Sequence, residues 1–197
     1  MLTLAATAVA CNRPPSQPAP RQTPGVIVVP PPGPATVGTI FVLESGGPPP
    51  DDTTVVAPAG RPRVIVLRRG APDNSLFASV AISDSMLGDS AARARPSTDS
   101  ITVRISPRPG IYGIDIEVEG GNPVPMRVAM SYAVHFVAPA GARDRYGSDL
   151  DFEQALFLAR VEPDGRVVFL PTVREGSDVI SARVPGPGRY VVAAPRR

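Results

Sequence analysis

The chain has 197 residues and a formal net charge of +2, with 26 Pro and 18 Gly making over a fifth of it. Pro fixes φ and lacks an N–H, and Gly loses extra backbone entropy on folding, so long internal helices are not expected. Only 5% of residues are aromatic, Trp is absent and Cys occurs once, which excludes a disulfide-stapled scaffold, a long coiled coil and a multi-span membrane protein. The 20 basic residues are all Arg, set against 18 acids and scattered along the chain. No basic face interleaved with aromatics is visible, so a nucleic-acid partner is not expected.

Met1 to Ala10 form an apolar run that stops at Cys11 and passes directly into NRPPSQPAPRQTPG. The run is shorter than the roughly 20 residues of a spanning helix and has the pattern of an export segment. Ala8-Val9-Ala10-Cys11 resembles the lipobox of bacterial lipoproteins, with Ala8 where that family usually has Leu and with no basic residue ahead of the run. The resemblance implies cleavage after Ala10, lipidation of Cys11 and a membrane-anchored location in the bacterial cell envelope, facing periplasm or exterior; the alternatives are an unlipidated export leader and a disordered N-terminus with an incidental Cys. A diacyl chain would hold the protein through about 0.8 kcal/mol per buried CH₂.

Residues 12–34 carry Pro at 14, 15, 18, 20, 24, 30, 31, 32 and 34, interrupted by Val26-Ile27-Val28-Val29. Such a tract favours extended polyproline II and reads as a tether, residues 11–34, following an export remnant over 1–10.

From Ala35 onward short apolar runs alternate with turn residues. Strands are expected over 36–43, 53–57, 63–69 and 76–82, with GGPPPDD at 46–52 as a breaker. Residues 83–98 hold at most one or two helical turns, because Gly88 and Pro96 interrupt them. Ile101, Val103 and Ile105 alternate with polar residues, as do Ile114, Ile116 and Val118. The longest alternation runs from Pro125 to Ala138, with Met126, Val128, Met130, Tyr132, Val134 and Phe136 on one parity. Period-2 alternation of this kind marks antiparallel strands buried on one face.

The polar stretch 139–151 reads as a connection between a β-domain at 35–138 and residues 152–197, which form a second β subdomain or complete the same sandwich. Within the latter, 153–161 is either a strand or a short helix, and Pro163-Asp164-Gly165 is a tight turn before 166–170. Strands at 178–184 and 190–194 follow. The fold class is therefore all-β, an antiparallel β-sandwich with immunoglobulin-like or jelly-roll-like connections.

Pro107-Arg108-Pro109-Gly110-Ile111-Tyr112 and Pro185-Gly186-Pro187-Gly188-Arg189-Tyr190 share P-x-P-G-x-Y, each between two strands. A Tyr just after such a turn can bury its ring while its hydroxyl bonds nearby backbone. The arrangement resembles the tyrosine corner of immunoglobulin-like sandwiches and the G-x-Y ending of the pre-peptidase C-terminal family, a small secreted β-sandwich. That resemblance implies a fold and no catalytic or ligand-binding residue.

Chemistry-bearing patterns are sparse. His135, the single His, falls on the polar parity of the long strand and is expected to be a solvated surface residue. No G-x-S-x-G surrounds a Ser. Asp144, Asp149, Asp151 and Glu153 lie close together, but their spacing departs from a calcium loop and Arg143 and Arg145 neutralise them locally. No cofactor, metal or catalytic residue is expected. The functional expectation is a non-catalytic envelope module that binds a protein or polysaccharide or gives structural support, with an accessory domain of a hydrolase, or a minor hydrolase, as the alternative.

Overall fold

A computed structural model describes residues 28–58, 61–82, 100–120, 125–176 and 178–196. The expected export segment with Cys11 and the optional helix at 83–98 lie outside these residues.

The described residues form sixteen strands, in chain order β1 Val28–Val29, β2 Ala35–Thr36, β3 Ile40–Val42, β4 Glu44–Ser45, β5 Thr53–Pro58, β6 Arg63–Arg68, β7 Leu76–Ile82, β8 Ser100–Pro107, β9 Gly113–Glu119, β10 Met126–Ser131, β11 Phe136–Val137, β12 Phe157–Val161, β13 Arg166–Phe169, β14 Thr172–Arg174, β15 Val179–Val184 and β16 Gly188–Pro195. Two short helices, α1 Ala142–Tyr146 and α2 Asp149–Gln154, separate β11 from β12. No helix among the described residues is long and apolar enough to cross a membrane.

The strands form an antiparallel sandwich. One sheet has the order β1-β14-β15-β10-β7-β6, the other β2-β13-β12-β16-β9-β8-β5, and β4 pairs with β11 at one end. Residues 152–197 contribute to both sheets: β15 lies beside β10, and β16 beside β9. Alternation drives the layering. Ile101, Val103 and Ile105 of β8, Ile114 and Ile116 of β9 and Met126, Val128 and Met130 of β10 are buried in one core. Full burial of each such side chain is worth about 1.5–3 kcal/mol relative to exposure.

A second apolar cluster occupies the other face of the larger sheet, where Ile40, Phe157, Ala159, Val167, Phe169, Val191 and Ala193 meet. Its cover comes from residues 35–42. β2 pairs with β13, a 3-10 turn over Val37–Thr39 follows, and β3 pairs with β16, so the chain wraps this end of the sheet. Residues 36–43 are therefore a strand, a turn and a strand instead of one continuous strand. Val28–Val29, within the stretch expected to be extended tether, pairs with Val173 and Thr172.

The run 125–138 is also divided. β10 ends at Ser131, a turn follows, and β11 resumes at Phe136. Val134, expected inside on parity, is 63% exposed, whereas Tyr132 remains buried. In the connection 139–151 the polar residues serve as helix caps: Ser148 Oγ accepts the Asp151 N–H at 3.0 Å, and Asp149 and Asp151 sit in the first turn, where carboxylates favour helix. The Arg174 guanidinium closes the other end of α2 by donating to the carbonyls of Glu153, Gln154 and Leu156 at 2.7–3.1 Å. Phe152 on α2 is fully buried in the main core.

Candidate functional site

A polar constellation lies at one end of the sandwich, where β4, the loop after β6 and the turn between β10 and β11 converge. Arg69 is its centre and is 2% exposed. It follows Ile65 and Leu67 on the inward parity. Its guanidinium is satisfied on its plane and on its faces. Nη1 donates to the Pro48 carbonyl at 2.6 Å and Nη2 to Ser45 Oγ at 2.7 Å. The Phe77 and Tyr112 rings lie 5.0 and 5.5 Å from its Cζ, and they stack on each other at 5.5 Å. Cation–π contact of this kind strengthens when desolvated, and the planar fork matches two acceptors at once.

Asp73 lies above Arg69, with its carboxylate 3.9 Å from Nε. Its Oδ1 accepts the Ser75 N–H at 3.3 Å, and its Oδ2 meets His135 Nε2 at 2.6 Å. The hydrogen bond from His135, followed by the neighbouring Ser75, holds the Asp73 carboxyl below its ordinary value. His135 is thus a partnered, three-quarters-buried side chain (26% exposed) and not the freely solvated residue expected from strand parity. The break between β10 and β11 turns it toward the 70–75 loop. Gly47 permits the approach, because a Cβ there would lie 2.9 Å from the imidazole ring. Because the Asp73 carboxylate can only accept, Nε2–H is the donor in this contact.

The two P-x-P-G-x-Y turns have different environments. The Tyr190 hydroxyl donates to the Gly186 carbonyl at 2.5 Å inside the core, whereas Tyr112 is buried beside Arg69 and Ser45, and burial raises its phenol pKa. One carboxylate links the two turns: Asp115 accepts from Arg108 at 2.7 Å through Oδ2 and from Arg189 at 3.0 Å through Oδ1. Asp115 also borders a cleft of about 630 Å³ with Glu117, Arg160, Glu162, Gly188 and Arg189. Arg160 Nε lies 3.3 Å from Glu162 Oε1 but is not aligned to hydrogen-bond to it. Acids and guanidiniums alternate around this cleft, so it has no single charge preference.

The acidic residues of 144–153 do not converge. Asp149 pairs with Arg143, Asp151 accepts from Ser148 Oγ at 2.6 Å, and Glu153 points toward Tyr132, whose phenol is pushed up to about 12 by burial and then by that carboxylate. Among the described residues no group of three or more His, Cys, Asp or Glu is placed to hold a metal ion. Sequence reading missed Arg69 because it appeared as the charged end of a strand, although its parity with Ile65 and Leu67 was available. It missed the Asp73–His135 pair because 62 residues separate the partners. No family profile matches the chain, and no curated protein or solved structure is significantly similar to it.

Proposed function

We propose that the chain is a non-catalytic cell-envelope lipoprotein, anchored through lipidated Cys11 and presenting its β-sandwich for binding or structural support. The observation that carries this reading is the way the chain enters the domain. β1 and β2 pair with β14 and β13 at one side of the two sheets, while among the described residues β6 and β5 form free edges at the opposite side. The Pro-rich residues between Cys11 and β1 have the composition of a semi-rigid spacer. An attachment at one side and an open side opposite it suit display of the domain to an envelope protein or polysaccharide.

The polar constellation around Arg69 supports the same reading. Arg69, Asp73 and His135 bond to one another or to nearby carbonyl and hydroxyl groups, which fixes loops 44–48, 69–75 and 132–136 as a rigid end of the sandwich. The test is fractionation of a lipoprotein-processing bacterium expressing the full chain. Wild type is expected in the membrane fraction and Cys11→Ser in the soluble fraction; a wild type that is soluble, or a variant that stays with the membrane, contradicts the proposal.

A further inference from the structure

We infer that the free edge of β6 is a docking site for an extended, acid-flanked peptide strand, an inference that rests on reading the domain as a binding module. Among the described residues no strand pairs with the outer edge of β6, which runs Arg63-Val64-Ile65-Val66-Leu67-Arg68. Unpaired edges template further strands, and natural proteins blunt them by shortness, Pro, charge or a bulge. The other ends are blunted: β1 and β2 have two residues each, and β5 finishes at Pro58. β6 has six residues and no Pro, and the register shift in its pairing with β7 comes only at Leu67/Arg68. The regular stretch therefore includes Val64 and Val66, which are 65% and 47% exposed while Ile65 and Leu67 point into the core.

Charge selects the occupant. Arg61, Arg63 and Arg68 are exposed, and among the described residues none pairs with a carboxylate; Arg68 Nη1 donates only to the Asn74 carbonyl at 3.1 Å. A second copy of this chain added antiparallel about the strand centre would bring Arg63 of one copy beside Arg68 of the other at each end of the ladder, and a parallel copy would set each Arg against itself. Like charges directly opposite are unfavourable in a sheet. An extended peptide with apolar alternate residues and acids at both ends instead gains the backbone ladder, covers Val64 and Val66, and meets guanidiniums at each end.

The probe is a short capped peptide of alternating threonine and valine with glutamates at both ends, titrated into the isotopically labelled full chain and followed by amide shifts. Saturable shifts centred on β6, with β6 amides gaining exchange protection, are expected. Arg63→Glu combined with Arg68→Glu should weaken binding by roughly tenfold, as two exposed ion pairs would. Val66→Lys tests the apolar contact without altering the core. The inference is overturned by absence of saturable shifts, by equal binding of a lysine-flanked peptide, by protection of the β6 edge in the free monomer, or by self-association through β6. None of these results touches the Cys11 anchor, whose failure would appear in the fractionation alone.

Discussion

Tyr190 donates its hydroxyl hydrogen bond to the carbonyl of Gly186, four residues earlier, from a fully buried position. The bond closes the loop that feeds β16, and β16 is hydrogen-bonded to β12, β9 and β3. Tyr190→Phe keeps the ring and leaves the carbonyl unmatched. The expected cost is about 1–2 kcal/mol, a fall in Tm of roughly 2–8 °C for a domain of this size. A thermal melt of Tyr190→Phe unchanged from wild type contradicts a structural role for this bond.

Arg69 gives a sharper case. Truncation to Ala removes two hydrogen bonds and two ring contacts from a buried site, so a loss of about 2–4 kcal/mol is expected in urea unfolding. Arg69→Lys should recover little of it, because one ammonium cannot reproduce the fork that reaches Pro48 and Ser45 together. Full recovery by Lys would show that charge alone matters there.

Acid sensitivity follows from Asp73. Its carboxyl lies below the ordinary 3.8 in the folded protein, so its contribution is fully present above that value and is lost as pH falls through the lower folded value. Asp73→Asn should therefore be less stable than wild type at neutral pH, with the gap narrowing below about pH 4. Paired unfolding curves at neutral and acid pH measure it, and a gap that widens with acid has the wrong sign.

Gly47 connects this clasp to packing. Gly47→Ala places a methyl 2.9 Å from the His135 ring, so the imidazole must move and its contact with Asp73 lengthens. The His135 ring resonances should shift to those of Asp73→Asn. Unchanged resonances would mean that the ring is not held against Gly47.

Most strands were legible from alternation. Arg63–Arg68 and Leu76–Ile82 match their expected limits within a residue, since each face meets a distinct environment. Legibility failed where tertiary contacts override pattern. Thr172–Arg174 is too short to show a period, yet pairs with β15 and β1. The alternation through 125–138 conceals the turn that carries His135, because a chain can change direction between two in-phase runs. Ser148 and the acids after it have the composition of a connection, yet they cap and open α2. The polar constellation was illegible for a simpler reason: its members come from four separated segments, and only the folded sheets bring them together.

Intact-mass analysis of the mature N-terminus, purified from the source organism, tests most directly the proposal that the sandwich is held to a membrane through Cys11. A chain beginning at Cys11, heavier by the mass of its acyl groups, is the predicted result. An unmodified chain beginning at Met1 and recovered free of membrane would contradict it.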